Sequence, residues 1–374
     1  MSKITYINTG WTPERKIRWM EDQIEKWNKH GTDLEFMNFE YDEEVSELDT
    51  EIAYIRFRTA EGLENQMPSK YRKEEYDEAF SELIEKKERE YEESVSGEIK
   101  YIQTPEAMRK YRDKTKVYDL LEDEVPMPDS IKLEEYDDFE DFLSKHGEVC
   151  IKPARGNQGQ GITKVEEKGS RYYLTTNIDI ENIEESSHEA FKEYDLSEEE
   201  FEEFFQKYSE ISDGPSALIQ EWINPRKIDG KIFDLRTYSV FNENHHGARI
   251  GEEGLTTNLS TGVKTEDRVL PAQTLIKKGV LTGEEKADIE HYSNKASDLM
   301  DVELLACDWY LADEPLMLEA NTSPGTILTV VAEDYSPEHL LVDKIVEREY
   351  GEELGELIEE SKNQRKRMIE ENFL

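Results

Sequence analysis

The sequence predicts a mixed α/β (α+β) protein built in more than one unit, and three observations carry that prediction. Strand and helix patterns alternate over the first ~105 residues, residues 148–176 read as successive hairpins, and two apolar strands turn back on each other at Asp313-Glu314. With 374 residues, 36% hydrophobic and 10% aromatic, the chain can bury two or three cores.

Taken in order, ITYIN (4–8) is a short apolar strand, followed by a helical pattern through IRWMEDQIEKW. LEFMNFE (34–40) and IAYIRFR (52–58) alternate as strands do, Tyr71 to Ser94 reads as a helix, and YIQTP (101–105) is a strand ended by proline. This βαβ rhythm predicts a small parallel sheet. RKYRDKTKVYDLLED (109–123) is helical until VPMPDS breaks it. EVCIKPA, ITKVEE and RYYLTT then form strands joined by a glycine-rich loop and a KGS turn. Residues 181–213 are strongly acidic. Phe201, Phe204, Phe205 and Tyr208 recur there at helical spacing behind a Ser197–Glu200 capping box, predicting a helical insertion with one apolar face. ALIQEWI (217–223), FDLRTYSVF (233–241) and ARIG (248–251) are strands, His245-His246 fall in an expected solvated turn, a helix covers about 283–300, and the tail from 352 is a charged helix.

Composition bounds the function. The formal net charge is −42, with the acids spread along the chain, which argues against a nucleic-acid face because phosphate backbones demand clustered Lys and Arg. A salty cytoplasm, whose ions screen such repulsion, is one reading, and an ordinary acidic protein is the other. No stretch approaches the roughly 20 apolar residues that span a bilayer, and the first residues lack the apolar core of a signal peptide. The two cysteines, Cys150 and Cys307, are too few for a disulfide framework, so a cytoplasmic location is expected.

Two constellations carry chemistry. In EVCIKPARGNQGQGITKVEE (148–167), Lys152 precedes three glycines, Gly156, Gly159 and Gly161. A P-loop needs its lysine after the glycines, and a dinucleotide fold needs a helix after them; here a strand follows. What remains is a hairpin tip whose backbone N–H groups can fold over phosphates, with Lys152 as a point charge. A plain glycine-rich turn fits the same letters. In LLACDWYLADEPLMLEAN, a turn centred on Asp313-Glu314 sets Asp308 across from Glu319, with Asn321 on the same face. Two carboxylates and an amide oxygen suit Mg²⁺ (or Mn²⁺), although a pair of exposed acids fits too, and a one-residue slip would separate them. Between these segments, Asp234 and Arg236 share a strand face, where the arginine can clamp a phosphoryl group oriented by the aspartate. Arg249 and the polar run TTNLSTG, with Asn258, could add donors.

Together and in this order, the pieces resemble the ATP-grasp superfamily. RDKTKVYDLL with VPMPDS resembles the segment carrying its first ATP-binding lysine, which falls on Lys114. IKPARGNQGQGI resembles the second lysine, Lys152, with the flexible loop through Gly156, Gln158, Gly159 and Gly161. IQEWI is similar to the adenine-binding hinge, implying Gln220, Glu221, Trp222 and Ile223 around the base. ACDWYLADEPLMLEANTSPG matches the metal signature, with Asp308, Glu319 and Asn321 as ligands, and Arg236, Arg249 and Asn258 fall near the triphosphate. The branch most resembled is that of glutamate ligases and glutathione synthetases, and the acidic insertion and TTNLSTG resemble the endospore coat-associated members.

The resemblance implies a pre-ATP-grasp domain at 1–108 and two α+β subdomains gripping ATP at 109–215 and 216–350. The first carries the insertion 181–213, and a helical tail follows at 351–374. It further implies an ADP-forming carboxylate–amine ligase that works through an acylphosphate with Mg-ATP. Its substrates would be a carboxylate and an amine, a peptide or protein among them, with no nucleic-acid or membrane partner. The alternatives are a non-catalytic ATP-binding structural or regulatory protein of the spore-coat type and a kinase of the same fold.

Overall fold

The computed structural model describes residues 2–371 apart from 11–13, 41, 58–73, 134–135, 155–160, 179, 181–190, 212–216, 252–268, 323 and 325–336. The chain opens with β1 (Lys3–Thr9), α1 (Glu14–Asn28), β2 (Asp33–Phe39), β3 (Ile52–Phe57), α2 (Glu74–Ser94) and β4 (Glu98–Tyr101). Its four strands are parallel in the order β2-β1-β3-β4, as the βαβ rhythm predicts. Alternation sends Ile7, Ala53, Ile55 and Phe57 against α2, and Ile4, Tyr6 and Tyr54 against α1.

The fourth strand lies before the expected 101–105 and shares only Tyr101 with it, because Thr104 accepts the Ala107 N–H and caps α3 (Pro105–Lys110), with Pro105 at its first position. A second cap divides the single helix expected over 109–123. Asp113 accepts the Thr115 N–H at 2.9 Å and starts α4 (Lys114–Leu121), so Lys114 opens a helix.

The second sheet comprises β5 (Ser130–Lys132), then after α5 (Tyr136–His146) β6 (Glu148–Pro153), β7 (Thr163–Lys168), β8 (Arg171–Thr176) and β9 (Lys192–Ser197), and after α6 (Glu198–Ile211) β10 (Ala217–Glu221). All its pairings are antiparallel, in the order β5-β10-β6-β7-β8-β9. The helical expectation over 181–213 holds for α6, residues 192–197 are instead the edge strand β9, and 181–190 and 212–213 lie outside the described residues. The capping box forms as expected, with the Ser197 N–H donating to Glu200 at 2.7 Å. The aromatic stripe of α6 is core: Phe201 stacks on Tyr172 at 4.3 Å between ring centroids and packs on Phe139. The last residue of the stripe, Tyr208, donates its hydroxyl to the Gly161 carbonyl at 2.8 Å.

The third sheet holds β11 (Lys227–Ile228), β12 (Lys231–Val240), β13 (Glu243–Ile250) and β14 (Val269–Pro271), and, after α7 (Ala272–Lys277) and α8 (Gly283–Leu299), β15 (Leu304–Leu311) and β16 (Pro315–Asn321). The order is β14-β13-β12-β15-β16, with β11 pairing β12. One face buries Leu235, Trp309, Met317 and Ala320 in the core that Ile289 and Ala296 of α8 enter. The other face adds Tyr238, Val240, Leu304 and Ala306 to the core under α1 and the final helix, α9 (Pro337–Glu371). The tail is therefore helical from 337 rather than 352. It kinks at Leu354, after which Arg365 returns to pair with Asp343 at 3.1 Å and with Glu243 at 3.1 Å. Among the described residues, no helix is long and apolar enough to cross a membrane.

His245 and His246 lie in β13, not in a turn. The turn is the two-residue Phe241-Asn242, both at positive φ (49° and 61°), the mirror-image geometry that suits strand twist. His246 Nδ1 meets the Thr237 hydroxyl at 2.9 Å, and its Nε2 meets Glu290 at 2.9 Å.

Two outcomes test this architecture. Gly161 sits at φ +73°, and a Cβ there would meet Pro153 Cγ at 2.6 Å, so Gly161→Ala should lower unfolding stability by at least ~1–2 kcal/mol in urea. Burial, chiefly, pushes His245 down to about 4, keeping it neutral in the fold while the unfolded chain protonates from about pH 6.5 downward. That contribution is complete above about pH 6.5 and is lost as pH falls toward 4. His245→Gln should therefore lose less stability than wild type between about pH 7 and about pH 4.5, which urea midpoints would reveal.

Candidate functional site

Four charged side chains share one buried patch on the third sheet. Arg236 of β12 lies opposite Asp308 of β15, and Asp234 of β12 lies opposite Arg249 of β13. Arg236 grips Asp308 with its Nε and Nη2, each at 2.7 Å. Arg249 holds Asp234 in the same way, through Nε at 2.8 Å and Nη2, and adds an Nη2 contact of 2.8 Å to Asp308. The pairing differs from the expected Asp234–Arg236 couple for a geometric reason. Side chains opposite each other on neighbouring strands stand closer than those two apart on one strand, so each arginine takes its cross-strand partner. Burial would raise the Asp308 carboxyl, but Arg236 and Arg249 overcome it and hold the group at about 2.

The strand carrying the other acid reaches the expected alignment by another route. The loop spans three residues, with Leu311 opposite Pro315, and this register alone would set Asp308 against Leu318. A β-bulge between Asp308 and Trp309 absorbs the extra residue, and Asp308 faces Glu319 after all. Met317 and Ala320 point into the core on either side of the bulge, leaving Glu319 and Asn321 half-buried on the opposite face.

Two lysines approach this patch from the second sheet and its helix. Lys114, the first residue of α4, brings its ammonium to 3.4 Å from Glu319, and its backbone N–H donates to the Ala154 carbonyl at 2.8 Å, fixing the helix start to the end of β6. Lys152 is half-buried on β6. Burial chiefly holds its ammonium below the ordinary lysine range; nearby Lys114 adds to this, while Cys150, Glu319 and Asp308 oppose it. Sites on two sheets thus converge on one cluster of charge.

The hinge segment is more occupied than its sequence suggests. The Gln220 amide, 2% exposed, accepts from Lys152 Nζ and donates to Ser130 Oγ at 3.1 Å, so it orients the lysine. Glu221 accepts the Asp129 N–H at 2.9 Å and lies 3.4 Å from His146 Nδ1. The Trp222 N–H donates to the Glu148 carbonyl at 3.0 Å, Lys164 covers its ring at 4.8 Å, and half-buried Ile223 follows. Gln220, expected around the base, instead supports Lys152, and His146 is a support that sequence reasoning missed. A lone amide inside the apolar strand ALIQE was the available signal for Gln220; His146 carried none. Gly161 ends the glycine loop, its N–H donating to Asn177 at 3.1 Å. Gly156, Gln158, Gly159 and Asn258 lie outside the described residues.

The donor set fits a hard divalent cation. It offers two carboxylates on one rung and an amide two residues on, all oxygen donors, each carboxylate now balanced by protein cations. Among the described residues no three His, Cys, Asp or Glu side chains gather into a metal cage, so phosphate and water oxygens would complete the shell. Cys307, beside Asp308, points into the core and burial pushes its thiol up to about 12, so it is packing rather than nucleophile.

Removing one arm of this cluster should be costly. Arg236→Met would leave Asp308 buried with Arg249 alone and should lower unfolding stability by about 3–5 kcal/mol, measured by urea denaturation.

The family model described as "YheC/D like ATP-grasp" matches residues 104–307. No curated protein sequence matches the chain significantly. Among solved structures, a RiPP-associated ATP-grasp ligase from Chryseobacterium gregarium, in complex with ADP and a leader and core peptide, aligns with TM-score 0.58 and 15% identity, over 92% of this chain and 97% of its own. The D-cycloserine synthetase DcsG aligns with TM-score 0.56 and 13% identity, over 92% and 99%. The macrocyclase MdnC bound with precursor peptide MdnA, from Microcystis aeruginosa MRC, aligns with TM-score 0.54 and 12% identity, over 91% and 98%. At these identities the likeness is one of fold. Since the family model spans more than half of its residues, the chain belongs to the YheC/D-like ATP-grasp family.

Proposed function

We propose that the chain is an ADP-forming carboxylate–amine ligase using Mg-ATP. The observation that carries this reading is the approach of Lys114, at the start of α4, to Glu319 at 3.4 Å, on the rung that Glu319 shares with Asp308. The alignments with peptide-modifying ligases support a peptide among the substrates.

In this reading the substrate carboxylate takes the γ-phosphoryl group and ADP leaves; the amine nitrogen then attacks the acyl carbon and displaces phosphate. Lys114 and Lys152 would neutralise phosphate oxygens, with Gln220 holding Lys152 in line. Mg²⁺ or Mn²⁺ held by Asp308, Glu319 and Asn321 would offset charge on the β- and γ-phosphates. Arg236 and Arg249 would face the transferring group and the tetrahedral carbon that follows, one such donor being worth about 3–4 kcal/mol of barrier. The base would rest along the backbone through Ile223, since the Gln220 and Glu221 side chains are engaged elsewhere. The glycine loop that ends at Gly161 would cover the phosphates, with Asn258 as a further donor, and exclude water from the activated acid.

The test is Mg-ATP turnover with pooled amino acids and short peptides, following ADP, phosphate and hydroxylamine-trapped acyl groups together. Equal ADP and phosphate with a trapped hydroxamate are expected, and Glu319→Ala should reduce the rate by more than ~100-fold. ADP without phosphate would mean a kinase, and ATP binding without turnover would favour a binding role. Full activity in Glu319→Ala would refute the site.

A further inference from the structure

The first sheet buries a guanidinium that no part of the proposed chemistry uses. Arg56, the penultimate residue of β3, is 1% exposed. Its Nη1 stands 4.0 Å from Glu338 Oε1, an oxygen that Lys16 also approaches at 3.8 Å. Its Nε and Nη2 are buried and meet no hydrogen-bond acceptor among the described residues. A buried charged donor left without an acceptor is costly, so such a group calls for a partner.

The unpaired edge has a defined preference. Arg236 and Arg249 each present the same Nε/Nη2 edge to a carboxylate and bind both its oxygens. The setting of Arg56 favours an anion as well. It pairs with Asn8 across β1, near the carboxyl ends of the parallel strands, where open α/β sheets receive ligands. The first turns of α1 and α9 contribute Lys16 and Glu338, which stand 3.8 Å apart. Tyr238, two residues from Arg236 on β12, packs in the core that Tyr54 of β3 and Leu340 of α9 share. Burial pushes that phenol up, and it feels Arg236 and Arg249 as well as Glu338.

We propose that the Nε/Nη2 edge of Arg56 binds a second, non-reacting carboxylate of the substrate acid, making the enzyme selective for acids that carry two carboxylates. The inference rests on the ligase reading and names the substrate class of that same site. Arg56 is then a specificity residue: it anchors the acid at one end while the other carboxylate faces Arg236.

The experiment uses the full chain labelled with ¹⁵N-arginine, following arginine Nε–H resonances during titration with glutarate, succinate, acetate and inorganic phosphate, with and without Mg²⁺ and a non-hydrolysable ATP analogue. Arg56→Lys, which keeps the charge and loses the fork, assigns the resonance by its disappearance. Saturable movement of the Arg56 resonance with glutarate or succinate is expected, at concentrations at least tenfold below any effect of acetate. Arg56→Lys should weaken calorimetric binding of the same dicarboxylate at least tenfold, with binding of the ATP analogue unchanged within twofold. An Arg56 resonance indifferent to every carboxylate, movement with phosphate alone, or equal dicarboxylate binding in Arg56→Lys would each overturn the assignment. Failure of the wild-type chain to bind the ATP analogue would count against the ligase reading instead, which separates the two.

Discussion

The alternating salt-bridge cluster Asp234–Arg249–Asp308–Arg236 constrains the rest of the site. Four charges removed from water are tolerable only when each meets its opposite with two-point geometry, because the desolvation cost is several kcal/mol per ion. β12, β13 and β15 must therefore pair in the one register that sets these residues opposite each other; a slip of one residue would send them into the core that Leu235 and Trp309 occupy. That register in turn fixes β16 through its bulge, which presents Glu319 to Lys114. The cluster thus works as a registration device, its arginine donors spent on Asp308 and Asp234.

Much of this was legible in the letters, for uneven reasons. The parallel first sheet and the β6–β8 hairpins follow from period-two patterning, which a strand buried on one or both faces must obey. The opposition of Asp308 and Glu319 was also legible, although it arises from a turn one residue longer than expected and a bulge that compensates. Sequence alternation cannot reveal such a cancelling pair, because neither event changes the residue types involved. Helix boundaries failed where a cap decided them: Thr104 and Asp113 each accept a backbone N–H, and a polar residue inside a helical pattern looks the same whether it caps or merely faces water. The Phe241-Asn242 turn was hidden because phenylalanine seldom adopts positive φ, so NENHHG drew the turn to its glycine. The engagement of Gln220 with Lys152 joins residues 68 apart in sequence, and nothing local encodes it.

Charge is sorted by depth as well as by sign. The chain carries 88 acidic and 46 basic residues, yet in the interior Arg56, Arg236 and Arg249 are matched by Glu338, Asp308 and Asp234. An anionic ligand therefore meets a strongly acidic exterior before buried charges that balance one another. Salt screens the exterior over about 8 Å at physiological ionic strength and reaches the buried cations far less. Encounter rate and bound-state affinity should consequently respond differently to ionic strength, the first more strongly than the second.

The route of α9 has a practical corollary for recombining this scaffold. Although it is last in the chain, α9 packs on α1 of the first unit and on the Tyr238 face of the third sheet, and Asp343 within it accepts from Trp27 at 2.6 Å. The amino-terminal sheet therefore has its lining supplied from the opposite end of the polypeptide. A chimera that exchanges the leading unit at a crossover near residue 100 would strand half of that interface. Grafts have to carry Pro337–Glu371 along with the transplanted sheet, making two crossovers the minimum for a functional shuffle.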